Sequence, residues 1–203
     1  GALPPSQLLP LHLFEPRYRK MVEDALAGDR RFAVGEAIEG ADGAEAAGGW
    51  ATLGRIVSHQ ALPDGRHLVL LEGETRLEVD RLARRRPYPI LRAEAREDGD
   101  NRPVTPAAVA RTLASVERLL AQLEPPDQTQ SLLPRLQQLA ATHPGRFADA
   151  VGGHLVADPV LRGRLLASTD PVERLDWILG FLARLEIELK VSPRDPGFDP
   201  GLN

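Results

Sequence analysis

The spacing of apolar residues changes once along this chain, near residue 100. Before that point, short alternating runs are punctuated by glycines and by Leu62-Pro63-Asp64-Gly65. After it, leucines, valines and isoleucines recur at intervals of three and four. An alternating pattern suits a pleated strand with one buried face, and the longer spacing suits a helix with one buried stripe. Strands followed by helices predict an α+β architecture. The expected divisions are a β-rich part over 1–100, a helical bundle over 101–191, and a flexible tail over 192–203. That tail holds three prolines and two glycines.

One helix interrupts the β-rich part. Tyr18, Met21, Val22, Ala25 and Leu26 lie on a single helical face, Pro16 suits the first turn, and Gly28 is placed to end the helix in a left-handed conformation. Strands are expected at Phe32–Ile38, Thr52–Val57, His67–Leu71, Arg76–Leu82 and Ile90–Ala95, with Gly54 at a bulge. The Gly- and Ala-rich stretch 40–49 reads as a mobile loop. Short strands in this number suggest a small barrel or folded sheet.

The later half carries clear helix starts. Thr105-Pro106, Asp158-Pro159 and Asp170-Pro171-Val172-Glu173 each place a capping side chain before a first-turn proline. The first helix would bury Val109, Leu113, Val116, Leu119, Leu120 and Leu123, and Pro125-Pro126 would stop it. Ser131 is a candidate cap for a helix bearing Leu132, Leu136 and Leu139. The last helix would bury Leu175, Ile178, Leu179, Leu182, Leu185 and Leu189.

Composition narrows the chemistry. There is no cysteine, so disulfides, thiolate metal sites and a cysteine nucleophile are excluded. The net charge of −4 argues against a dedicated nucleic-acid binder. No run of apolar residues is long enough for a membrane span, and no secretory leader is visible at Gly1-Ala2-Leu3-Pro4-Pro5, so a cytoplasmic protein is expected. The five histidines show no helical metal-site spacing. No metal, cofactor or catalytic residue is therefore assigned.

The run Leu9-Pro10-Leu11-His12-Leu13-Phe14-Glu15-Pro16-Arg17-Tyr18 resembles the signature near the start of the amino-terminal, substrate-binding domain of ATP-dependent Lon proteases. Leu53-Gly54-Arg55-Ile56, then Glu72-Gly73 with Arg76, then Pro87-Tyr88 with Asp98, then Asp170-Pro171-Val172-Glu173-Arg174-Leu175 resemble later parts of the same pattern, in order. The resemblance implies a β-rich pseudo-barrel related to the PUA domain, followed by a helical bundle. One departure stands out: Pro4-Pro5-Ser6-Gln7 replaces the family's Phe-Pro-Gly turn, which suggests a shortened first strand. Neither Lys20 nor Lys190 lies in a phosphate loop, and the Ser-Lys protease dyad has no counterpart here.

The resemblance implies a non-catalytic module that recognises unfolded or tagged polypeptide, with a protease or chaperone as a further partner. The candidate polypeptide-binding residues are Phe14, Arg17, Tyr18, Glu72, Arg76 and Tyr88. A structural Glu-Arg pair fixing a hairpin is the favoured reading of Glu72 and Arg76, and the functional alternative is that Arg17 or Arg76 holds a ligand carboxylate. The candidate surfaces are an open sheet edge and the cleft between sheet and helices. The alternative is an RNA-binding PUA-like module using Arg84, Arg85 and Arg86 on phosphates, against which stands an ordinary solvated loop.

Overall fold

A computed structural model describes residues 4–35, 49–85, 87–99, 102–122 and 132–191. Its order is β1 (Leu8–Leu13), α1 (Pro16–Ala27), β2 (Arg31–Gly35), β3 (Trp50–Ala61), β4 (His67–Arg84), β5 (Ile90–Arg96), α2 (Pro106–Leu120), α3 (Leu132–Thr142), α4 (Pro144–Leu155), α5 (Pro159–Ala167) and α6 (Pro171–Val191). The architecture is α+β, as the change of period predicts.

All four described strand pairings are antiparallel. They run β1-β4-β3-β2, and β5 joins β4 further along its length. β1 covers His67–Glu72, and β5 covers Arg76–Arg84. The two strands expected at His67–Leu71 and Arg76–Leu82 are one strand of 18 residues. The ladder with β3 steps from Gly54↔Gly73 to Leu53↔Thr75, so Glu74 is an extra residue. A bulge of this kind lets a strand continue while its register shifts, so the Gly73 region bends the strand without ending it. β1 is paired with β4 from Leu8 to Leu13; the strand expected to be shortened precedes it, and residues 1–3 lie outside the described residues.

α1 buries Val22 and Ala25 against Phe32, Ile56, Val69 and Leu71, and Met21 and Leu26 flank them. Gly28 ends the helix with φ −105°, not in the left-handed region. The positive φ falls two residues later, at Arg30 (62°), where the amide still bonds Ala25 O at 2.8 Å.

The second core lies among α2–α6 and includes Val116, Leu119, Leu136, Phe147, Val151, Leu175, Ile178 and Leu182. Thr105 accepts from Ala108 N, and Asp158 accepts from Val160 N and Leu161 N, so both caps form as expected. Asp170 Oδ1 accepts from the amides of Val172 (2.9 Å) and Glu173 (3.3 Å). The α6 stripe leaves the core near its end: Leu189 is exposed. α4 was not expected. Its two consecutive glycines depress helix propensity, yet it is buried nearly all round. The expected strand residues 36–38, most of the loop 40–49, Leu123, the Pro125-Pro126 stop, the Ser131 cap and the tail 192–203 lie outside the described residues.

Candidate functional site

Alternation along β1 sends Leu9, Leu11 and Leu13 inward and leaves Leu8, Pro10 and His12 exposed. Directly opposed residues of an antiparallel pair share a face. Leu8 opposes Glu72, Pro10 opposes Leu70, and His12 opposes Leu68, which in turn opposes Gln60 on β3. Phe14 follows β1, is 62% exposed, and meets the His12 ring edge-on at 6.3 Å. Leu8, Phe14, Leu68 and the nearby Val57 are four of the large apolar side chains left exposed among the described residues. Scattered exposed apolar residues are ordinary, whereas here several lie on or beside one sheet face.

A charged rim borders this face. The Arg17 guanidinium lies 4.5 Å from the Tyr18 ring centroid and pairs with Glu15 at 2.9 Å. At the other end, Arg55 bridges Glu72 (2.8 Å) and Glu74 (2.7 Å), and Arg31 reaches Glu74 at 2.6 Å. The Arg31 bond, joined by Arg55, holds the Glu74 carboxyl below its usual range despite partial burial.

Phe14, Arg17 and Tyr18 thus follow the end of β1 in turn, and Glu72 opposes Leu8 at the strand's other end. Tyr88 does not join them: its hydroxyl donates to Asp24 Oδ2 at 2.9 Å and ties the β4–β5 connection to α1. Burial, then this bond, raises the Tyr88 pKa. Arg84 and Arg85 are exposed near the end of β4, and Arg86 lies outside the described residues.

Arg76 lies elsewhere, in a charged cluster between sheet and helices. It bonds Asp149 of α4 and lies 3.4 Å from Asp98, with 4% of its side chain exposed. Arg174, fully buried, donates through Nη1 and Nη2 to the two oxygens of Asp98 at 2.7 Å each, and to the carbonyls of Ser168 and Gly145. Its Nε is 3.3 Å from Asp149 Oδ1. Two buried cations are matched by two carboxylates, an arrangement suited to joining elements. Arg76 is thus removed from the candidate binding surface. Arg174 and Asp98 occur in motifs noted from sequence, but nothing in their spacing indicated this cluster.

The remaining cleft between sheet and helices is filled by the chain itself, through the turn Pro4–Gln7. His59 and His67, on neighbouring strands, have ring nitrogens 2.8 Å apart. Among the described residues, no three His, Asp or Glu side chains gather as a metal site, and no helix is long and apolar enough to cross a membrane.

Residues 2–184 match the family model of the ATP-dependent protease La (LON) substrate-binding domain. The Lon protease of Roseiflexus castenholzii is 26% identical over 184 residues, covering 89% of this chain and 22% of that protein. The Lon protease of Xanthomonas oryzae pv. oryzae is 29% identical over 190 residues, covering 88% and 21%. The chain therefore spans about a fifth of the length of these relatives. Among solved structures, a Lon N-terminal domain protein from Xanthomonas campestris superposes with TM-score 0.62 at 20% identity, covering 89% of this chain and 92% of that one. The N-terminal domain of Mycobacterium avium complex Lon protease gives 0.63 at 19% identity, covering 90% and 92%. At these identities the structural likeness speaks to the fold.

Proposed function

Since the chain belongs to the Lon substrate-binding domain family, we propose that it acts as a non-catalytic cytoplasmic module that captures extended segments of unfolded or tagged polypeptide for a protease or chaperone partner. The observation that carries this reading is the outward face of β1 and β4, where Leu8, Pro10, Phe14 and Leu68 stand exposed together. An extended segment laid there gains from apolar side chains placed on Phe14 and Leu68. β1 pairs with β4 alone among the described residues, so its other edge offers main-chain groups to such a segment. Arg17 is placed to meet a carboxylate at the rim. In this reading the parts 1–100 and 101–191 are two subdomains joined by the Arg76–Asp149–Arg174–Asp98 cluster. The likeness to the family is confined to its binding domain, which supports assigning no peptide cleavage to these residues.

Fluorescence anisotropy of a labelled unfolded polypeptide tests the reading, with single-stranded RNA as competitor. Burying a phenylalanine is worth about 1.5–3 kcal/mol. Phe14→Ala combined with Leu68→Ser is therefore expected to weaken binding by roughly tenfold or more, with little change in unfolding midpoint. Equal affinity in this variant sinks the assignment of the face. Displacement by RNA, lost on mutating Arg84, Arg85 and Arg86 to alanine, would support an RNA-binding module instead.

A further inference from the structure

The turn Pro4–Gln7 is seated like a bound peptide. Gln7 N bonds Pro4 O at 3.4 Å, and Ser6 occupies the third position with φ 69°. Ser6 N donates to Gly73 O at 2.8 Å, and Gly73 N donates to Gln7 O at 2.9 Å. The opposite wall belongs to the helices. Arg135 of α3 donates to Ser6 O at 2.8 Å, Gln7 Nε2 donates to Gly153 O of α4 at 2.6 Å, and Arg162 of α5 donates to Gln7 Oε1 at 3.1 Å. Two glycines make the room. A Cβ on Gly73 would come within 2.6 Å of Pro4 O, and one on Gly153 within 2.7 Å of Gln7 Oε1. The contacts recognise the main chain of a turn and one amide side chain, so the groove selects by backbone shape and one hydrogen-bonding side chain.

The occupant is imperfect in two respects. Serine at a positive φ is strained where glycine would not be. Arg162 Nε is buried without a hydrogen-bond partner. The first defect lies in the occupant, and the second is a wall donor that the occupant leaves unused.

We propose that the groove between Gly73 and Gly153 is a second peptide-binding site, held closed in cis by Pro4–Gln7, which takes in trans a turn-forming segment with Pro-Gly-Gln in place of Pro5-Ser6-Gln7. The site is separate from the Phe14 face and does not depend on what that face binds. Tethering gives the cis segment a high effective concentration. Peptides therefore enter only when the cis turn is weakened or when their glycine relieves the strain.

The test is a titration of fluorescein-labelled Leu-Pro-Pro-Gly-Gln-Leu into four forms of the full chain, the unaltered protein and three variants. Gln7→Ala removes the cis amide and leaves Arg162, Arg135 and the Gly153 carbonyl in place. It is expected to raise affinity by about tenfold, as for loss of one or two net hydrogen bonds. It should also speed exchange of the Gly73 amide relative to that of Leu71. Ser6→Gly relieves the strain in cis and is expected to lower affinity below that of the unaltered protein. Adding Arg162→Ala to Gln7→Ala is expected to abolish the gain. Equal affinities in the unaltered, Gln7→Ala and Ser6→Gly proteins overturn the proposal, and so does a gain that survives loss of Arg162. Should Gln7→Ala fail to fold, the comparison of Ser6→Gly with the unaltered chain still decides: equal or tighter binding by Ser6→Gly overturns it.

Discussion

Arg174 grips Asp98 from 76 residues away, with both Nη atoms 2.7 Å from its two carboxylate oxygens. The same arginine bonds the Ser168 and Gly145 carbonyls and faces Asp149, which Arg76 holds from the sheet. One network therefore joins β4, the β5–α2 connection, α4 and α6. Burial works against a charged Arg174, but the Asp98 bond and the Asp149 charge raise its pKa on balance. Replacing a buried ion pair by apolar residues is often tolerated, whereas removing one member strands a charge at a cost of about 3–5 kcal/mol. Asp149→Ala is thus expected to destabilise the protein by roughly that amount in urea unfolding. Asp149→Ala with Arg76→Ala should cost less than the sum of the two single changes. Strict additivity would mean that the pair does not interact.

Gly145 sits where any side chain would collide with this network. A Cβ there would overlap Asp98 Oδ2 and lie 3.2 Å from Arg174 Nη2. Ordinary helix positions gain about 1 kcal/mol from glycine-to-alanine replacement. Gly145→Ala should instead lose roughly 1–3 kcal/mol, as for overpacking. The contrast is Gly163→Ala on α5, where a Cβ meets nothing within 4 Å, and there stability should rise. Parallel thermal unfolding of the two variants checks the opposite signs.

What could be read from sequence and what could not divide along a physical line. Thr105, Asp158 and Asp170 were legible as caps because a cap is set by residues within three positions. The faces of α1 and α6 were legible because burial repeats at a helical spacing. Arg174 was not, because a charge beside a leucine stripe normally lies on a solvated face; only its meeting with Asp98 and Asp149 permits full burial. α4 was hidden by Gly152 and Gly153, whose low propensity is overridden by packing around Phe147 and Val151. The acidic residue three positions after the α6 cap is spaced to close back on the cap amide. Glu173 does not close back on the Asp170 amide. Ser168 Oγ stands between them, accepting from Asp170 N at 3.2 Å and donating to Glu173 Oε2 at 2.7 Å. Of the candidate site, Phe14, Arg17 and Tyr18 were gathered by their motif. Arg76 and Tyr88 were separated from them by partners, Asp149 and Asp24, that no local pattern announces.

Ser6 holds φ 69° without being glycine. Such a residue costs on the order of 1–3 kcal/mol, part of which glycine returns through its greater freedom in the unfolded chain. Ser6→Gly should therefore stabilise the protein by roughly 0.5 kcal/mol or more, seen as a higher urea midpoint at unchanged slope. A lower midpoint would show that the Ser6 side chain contributes more than its backbone strain costs.

His59 Nε2 and His67 Nδ1 lie 2.8 Å apart with their rings stacked, and His67 is buried. A hydrogen bond between two imidazoles needs one nitrogen without its proton, so the pair cannot be doubly protonated and remain joined. Burial, then the neighbouring His67 and Arg30, lowers the His59 pKa from its ordinary 6.5. A lowered value means the folded state binds fewer protons than the unfolded chain across that window. Stability from this group is present above about pH 6.5 and is lost as pH falls through the folded value. The urea midpoint should accordingly drop between about pH 7.5 and 5.5, before most exposed carboxylates titrate. His59→Gln keeps a polar side chain but cannot take the proton, so its midpoint should fall less over the same range. If both proteins lose stability in parallel, the pH dependence arises elsewhere, and His59 is not the group that carries it.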